Sequence, residues 1–273
     1  MGSSVFRGIA LFPTFDLFGR TIGLYQVASL AGIFIAGIYA CRNAKKRGFD
    51  DNDMIVFLLI AGIGAILGGH LFYGFTNYDL LTGLLQNLSG ITGPRDLLEK
   101  AVAVFGGSVF YGGLLGGTAA AVCYAKKKRL DLGAFSDMAA PAVPLFHIFG
   151  RIGCFLGGCC YGVACSFGVT YTNALTPEAN GVSRFPVQLA EAAFNLILFL
   201  ALDRFFRQGR FKGKLFAGYL LIYSAGRFLL EFLRGDEVRG FFWVLSTSQW
   251  ISVIIFIASA IWLAKKRAET DHR

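Results

Sequence analysis

Apolar runs long enough to cross a bilayer recur along the chain at residues 21–41, 54–75, 101–125, 133–158, 187–206, 215–233 and 245–264, each near the roughly 20 residues that a hydrocarbon core requires of a helix. The polar positions between them are ordered too. Basic residues gather after the first run (Arg42, Lys45, Lys46, Arg47), the third (Lys126, Lys127, Lys128, Arg129), the fifth (Arg207, Arg210, Lys212, Lys214) and the seventh (Lys265, Lys266, Arg267), while the alternate connections hold few. This pattern predicts an all-α polytopic membrane protein of about seven transmembrane helices, with the N-terminus outside and the C-terminus cytoplasmic by the positive-inside rule. A single integral membrane domain over residues 1–273 is expected. The two longer connections, 76–100 and 163–186, then become outer-face loops, where lids and recognition surfaces concentrate. Residues 1–20 lack a basic n-region and a small-residue cleavage site, so they read as an interfacial lead-in rather than a cleaved signal.

Composition narrows the class. With 55% hydrophobic and only 16% charged residues, the chain is too apolar for a soluble domain. A formal net charge of +9 suits a nucleic-acid partner, but the basic residues stand in short blocks between apolar runs. That is the signature of membrane topology, and no nucleic acid is expected.

The candidate chemistry lies in polar residues inside the runs: Tyr25, His70, Tyr111, Asp137, His147, Arg151, Glu191, Arg227 and Glu231. An arginine at this depth costs roughly 2.5 to 3.5 kcal/mol on insertion scales, so it is kept where an anion or a wet cavity meets it. His147, Arg151 and Cys154 stand at i, i+4 and i+7, on one helix face. Arg227 and Glu231 stand at i, i+4 and can pair. That pair either neutralises itself within the bundle or serves a substrate, and spacing alone leaves both open. Two arginines with fewer acids nearby point to an anionic ligand; a guanidinium fork suits phosphate, and the abundant phosphate of a bilayer is a phospholipid head group. His70 and His147 fit either satisfied polar residues or proton carriers. Asp137 fits a helix-end or packing acid.

The glycines at 62, 64, 68, 69, 106, 107, 112, 113, 116 and 117 suit close helix packing, or else room for a lipid beside Tyr111. Four of the six cysteines, Cys154, Cys159, Cys160 and Cys165, lie close together in the chain. They are open to four readings: small apolar residues, a redox pair on an oxidising face, a metal site of unrecognised spacing, or a transient lipid acceptor. No metal and no cofactor are expected.

Several blocks, in their order, resemble the prolipoprotein diacylglyceryl transferase family of bacterial membrane enzymes. Ala140-Pro141 through Gly150-Arg151-Ile152-Gly153 to Tyr161-Gly162 is similar to the family signature, with Arg151 and Gly162 at matching key positions. Tyr111-Gly112-Gly113-Leu114 resembles a block that carries histidine or tyrosine before Gly-Gly-Leu. Arg184-Phe185-Pro186-Val187-Gln188-Leu189-Ala190-Glu191 resembles a Pro-x-Gln-Leu-x-Glu core. Gly226-Arg227 through Glu231 to Arg234 resembles an Arg-x-x-x-Glu block, and Tyr25 falls where the family has an essential tyrosine.

The resemblance implies a transferase of the bacterial cytoplasmic (inner) membrane. Its partners would be the bilayer, phosphatidylglycerol and a lipobox-containing prolipoprotein. Catalysis would fall to Tyr111, Arg151, Arg227 and Glu231, and substrate binding to Tyr25, Cys154, Cys159, Gly162, Gln188, Glu191 and Arg234. Two positions depart from the family pattern. Cys154 replaces the usual asparagine and Cys159 the usual acid, which leaves a different acceptor, or a lipid-binding protein without chemistry, as alternatives.

Overall fold

The structure is a computed structural model that describes residues 13–86, 90–236 and 241–271. It is mostly helical, and the chain divides into two compact units, Ala44–Leu132 and the remainder, Met1–Asn43 with Gly133–Arg273. The apolar runs do become helices, but glycine, proline and short strands decide where each begins.

In the larger unit, β1 (Thr14–Leu17) and β2 (Arg20–Gly23) form an antiparallel hairpin. Phe18 and Gly19, at φ 50° and 75°, make the left-handed turn that such a hairpin needs. The first run therefore opens as strand, and α1 (Leu24–Lys46) starts after it. The expected interfacial lead-in lies outside the described residues as far as position 12.

The smaller unit holds α2 (Asp51–Thr76), α3 (Tyr78–Gln86), α4 (Pro94–Phe105) and α5 (Phe110–Lys128). Asp50 caps α2 by accepting from the Asn52 N–H at 2.8 Å. Here the third run is corrected: α4 stops at Phe105, residues 106–109 are irregular, and α5 begins at Phe110. The connection 76–100 is largely helical rather than a loop.

Glycines let α2 and α5 meet backbone to backbone. A Cβ on Gly68 would strike the Gly112 carbonyl and come 2.9 Å from Gly116 Cα, and one on Gly64 would strike Ala120 and the Gly116 carbonyl. The small-residue seam is thus helix packing. His70 Nδ1 donates to the carbonyls of Phe105 at 2.8 Å and Gly107 at 2.7 Å, the arrangement of a satisfied polar residue.

Back in the larger unit, the fourth run is two helices, α6 (Leu132–Ala139) and α7 (Ala142–Gly157), because Pro141 has no N–H to continue the ladder. Asp137 accepts from the backbone N–H groups of Gly213 and Leu215, the latter at 2.8 Å, and so caps a later helix. The connection 163–186 folds into β3 (Ala164–Thr170), a 3₁₀ turn at Pro177–Ala179 and β4 (Ser183–Arg184), over a small core of Tyr161, Tyr171 and Ala179. Then come α8 (Val187–Arg207), α9 (Leu215–Glu231), the hairpin β5 (Phe241–Phe242) and β6 (Leu245–Ser246), and α10 (Thr247–Asp271). The sixth run thus ends at Glu231 and the seventh helix starts at Thr247.

Among the described residues, four stretches are long and apolar enough to cross a membrane: Leu24–Lys46, Asp51–Phe75, Leu132–Gly157 and Thr247–Lys266. Among the others, α9 has 17 residues, and α8 carries Glu191, Asp203, Arg204 and Arg207.

Candidate active site

The first two turns of α8 bury two polar or charged side chains, Gln188 and Glu191, and Glu191 is the one on which the site converges. Only 3% of Glu191 is exposed, yet three guanidinium groups reach it. Arg151 of α7 brings Nε to 2.5 Å from Oε2, Arg227 of α9 brings Nη1 to 3.1 Å from Oε1, and Arg234 brings Nη1 to 3.9 Å from the same oxygen. Arg227 also pairs with Glu231 at 2.7 Å, as their spacing predicts. Arg234 grips Asp236 through Nε at 3.2 Å and Nη2 at 2.8 Å. Ser246 donates to Glu231 Oε1 at 2.9 Å. The Arg227–Glu191 contact is an aligned hydrogen bond as well as an ion pair. Those of Arg151 with Glu191 and of Arg227 with Glu231 are close ion pairs that lack hydrogen-bond alignment.

This arrangement corrects one expectation. The arginines are not in excess of acids: among the described residues Arg151, Arg227 and Arg234 face Glu191, Glu231 and Asp236. Buried charge is tolerated here because each member has a partner. Side-chain exposure separates the three arginines, at 22% for Arg151 against 13% and 6% for Arg227 and Arg234. Arg151 is therefore the guanidinium most open to a ligand.

The cysteines lie beside this network. Cys154 is in the last turn of α7, Gly158 turns the chain at φ 68°, and Cys160 takes φ 52°, a left-handed conformation uncommon for a residue with a Cβ. The two turns fold the segment back, so the sulfurs of Cys154, Cys159 and Cys160 all lie within 4.8 Å of one another. No disulfide joins any of the six cysteines. Gln188 holds the turn from α8, its Nε2 donating to the Cys159 carbonyl at 2.8 Å and to the Tyr171 hydroxyl at 3.2 Å. Hydrogen bonds from the Cys154 and Cys159 thiols pull the Cys160 thiol below its ordinary pKa, and the charges of Arg234 and Arg151 add to the effect.

Gly162 works by what it lacks. A Cβ there would strike the Phe185 carbonyl and lie 2.9 Å from that of Leu233. Its absence lets Gly162 bridge to Arg234 while Val163 N–H donates to Leu233 O at 3.0 Å. Tyr25, in the first turn of α1, packs against Gly153, where a Cβ would be 3.2 Å from both its Cα and its ring. Tyr111 stands in the first turn of α5, in the other unit, and its side chain lies outside the described residues. Of the site residues predicted from sequence, the larger unit thus brings Arg151, Glu191, Arg227, Glu231 and Arg234 into direct ionic contact. Cys154, Cys159, Gly162 and Gln188 surround them, and Tyr25 borders α7.

Several participants escaped the sequence reading. Tyr223 lies within electrostatic reach of Arg151, Arg227 and Glu191, and its ring is 5.3 Å from that of His147. Its place one turn before Arg227 on the same helix face was the available signal. Ser246 ends the short strand β6, Asp236 sits in an irregular segment, and neither gave a signal. Between α9 and α10 an apolar cavity of 300 Å³ is lined by Ser224, Ala225, Phe228, Leu229, Val253 and Phe256 among others, one turn from Arg227.

The family profile described as prolipoprotein diacylglyceryl transferase matches residues 13–265. The phosphatidylglycerol–prolipoprotein diacylglyceryl transferase of Clostridium tetani is 35% identical over 245 residues, 89% of this chain and 92% of its own length. A second enzyme of that name in Clostridium perfringens is 33% identical over 250 residues, covering 90% and 91%. The Enterococcus faecalis protein of the same name is 28% identical over 265 residues, covering 93% and 89%. A match that runs through the whole Arg151–Glu191–Arg227 network, together with relatives that align over about nine-tenths of both chains, means that the chain belongs to the prolipoprotein diacylglyceryl transferase family.

Proposed function

We propose that this chain moves the diacylglyceryl group of phosphatidylglycerol to the lipobox cysteine thiol of a prolipoprotein and releases glycerol phosphate. The observation that carries this reading is the gathering of Arg151, Arg227 and Arg234 around the buried Glu191. A phosphodiester needs fixed positive charge where its leaving group forms, and Glu191 holds two guanidinium groups in place before substrate arrives.

The lipid enters sideways from the bilayer. One acyl chain takes the cavity between α9 and α10, and the phosphate meets Arg151, the most accessible of the three arginines. The acceptor sulfur attacks the glycerol carbon bonded to phosphate. A carbon–sulfur bond forms, the carbon–oxygen bond breaks, and its electron pair leaves on glycerol phosphate. Arg151 and Arg227 stabilise that developing charge, a contribution typically of roughly 3 to 4 kcal/mol for one well-placed donor. Glu231 holds Arg227 in place for this step. Arg234, Gly162 and Gln188 hold the outer wall of the site, and Tyr25 borders the lipid path.

The frame for this chemistry is one integral membrane domain over residues 1–273 with seven spans, an outside N-terminus and a cytoplasmic C-terminus. Residues 76–100 and 163–186 lie on the outer face of a bacterial cytoplasmic membrane. The alternation of basic blocks supports that orientation.

The deciding experiment incubates purified protein with phosphatidylglycerol and a lipobox peptide, and follows glycerol phosphate and peptide mass together. Release with a diacylglyceryl mass gain, both lost in Arg151→Ala, is the expected result. Release without peptide modification would assign another acceptor. Lipid binding with neither signal would make the protein a lipid binder.

A further inference from the structure

The proposed reaction leaves one requirement unmet. A thiol has to become a thiolate before it attacks carbon, and the carboxylates described at the site are already engaged. Glu191 is shared by Arg151 and Arg227, and Glu231 is paired with Arg227 and accepts from Ser246. A carboxylate held by guanidinium groups is a poor base.

Beside these acids the three sulfurs of Cys154, Cys159 and Cys160 converge, none more than 4.8 Å from another. Zinc–sulfur bonds of about 2.3 Å bring tetrahedral ligand sulfurs to about 3.8 Å apart, so the cluster needs to contract by no more than about 1 Å. No histidine or carboxylate completes the set among the described residues. Three protein ligands with a fourth position open is the arrangement of reactive rather than structural zinc.

The surroundings fit such a centre. The turn that aims the sulfurs runs through Cys160 at φ 52°, where glycine would be the unstrained residue. Gln188 fixes the turn through the Cys159 carbonyl, as the supporting shell of a metal site does for its ligands. Three thiolates on a divalent ion leave one negative charge, and two guanidinium groups are placed near it: Arg151 stands one turn before Cys154 on α7, and Arg234 bridges to Gly162, two residues beyond Cys160.

We propose that Cys154, Cys159 and Cys160 form a three-thiolate zinc site whose fourth position takes the acceptor thiol of the prolipoprotein. This rests on the transferase reading for the identity of the acceptor, but not for the metal. Loading the ion releases the three cysteine protons to solvent, and the acceptor releases its own on binding. The bound thiolate then attacks the glycerol carbon. The thioether product is a neutral, weaker ligand and leaves. No oxidant or reductant is involved. The two thiols thus stand in place of an amide and an acid because they bind and activate the acceptor directly.

The test uses the full chain purified in detergent without a histidine tag. Elemental analysis should find about one zinc per chain, and thiol titration under chelator should find all six cysteines free. Cys159→Ser and Cys160→Ser should each lower zinc affinity by at least about tenfold, while Cys165→Ser and Cys41→Ser keep the metal. Should the cluster variants fail to fold, wild-type protein stripped by chelator and refilled with cobalt(II) serves instead. It should show thiolate-to-cobalt absorption, shifted by a lipobox peptide and not by the same peptide with serine for cysteine. Transfer by zinc-free protein, or a disulfide within the cluster, overturns the proposal. A cobalt spectrum indifferent to the cysteine peptide overturns the acceptor role. A spectrum that responds while no diacylglyceryl group moves from phosphatidylglycerol would instead overturn the transferase reading and leave the metal site standing.

Discussion

Two helix assemblies in this chain are held by opposite means. Along its glycine stretch the α2–α5 seam has no charge: Gly64, Gly68, Gly112 and Gly116 bring backbones together, and contact area does the rest. The α7–α8–α9 assembly carries three arginines and the acids that match them, centred on a glutamate only 3% exposed. Buried ion pairs are seldom retained for stability, because well-packed apolar side chains often do as well or better. An apolar seam is sufficient to hold helices in lipid. A charged one in the same protein is there because something charged is handled in it.

The contrast predicts a graded set of responses. Glu191→Gln strands two or three guanidinium groups and should have the largest effect, costing about 3 to 5 kcal/mol. Transfer should fall by roughly a thousandfold in the protein that still folds. Thermal unfolding in detergent and the peptide-mass assay read the two separately. Gly68→Leu drives a side chain into the Gly112 carbonyl and should cost about 1 to 3 kcal/mol. The affinity of the surviving folded protein for phosphatidylglycerol should be unchanged; if that affinity is lost, the seam is more than packing.

Arg151→Lys keeps the charge but loses the fork, and should lower kcat/KM by roughly 10- to 100-fold with little change in melting temperature. An equal loss of stability would make Arg151 a strut rather than a substrate group. Asp137→Ala, which removes the acceptor for the Gly213 and Leu215 N–H groups, should cost about 1 kcal/mol. Turnover per folded molecule should not change.

What could be read from sequence follows the range of the interaction. The Arg227–Glu231 pair and the glycine seam are set by helical period, so spacing was enough. The convergence of Arg151, Arg227 and Arg234 on Glu191 depends on three elements meeting in space, and no local pattern encodes it. The apparent surplus of arginines was an artefact of the same kind, since Glu191 and Asp236 lie far along the chain from Arg151. Runs 21–41 and 245–264 hid short strands, because apolar hairpin residues look like the start of a helix. The run 133–158 hid a break at Pro141, a residue that membrane helices tolerate often enough to be ambiguous. The four neighbouring cysteines were visible, but which three sulfurs converge was not, because that depends on a left-handed Cys160.

The spacing of four on both faces of the glycine seam also means that it does not by itself define one alignment. Sliding α2 past α5 by one turn, about 5.4 Å, toward the start of α5 would move Gly64 from its place between Gly116 and Ala120 to one between Gly112 and Gly116, again small against small. What excludes the slipped register is at one end. His70 donates to two carbonyls, at 2.8 and 2.7 Å, and the Val109 N–H donates to the Gly69 carbonyl at 3.0 Å. Displacement by a turn breaks all three together. His70 is therefore the detent of a seam that would otherwise ratchet, choosing by hydrogen bonds between positions that packing alone leaves nearly equivalent.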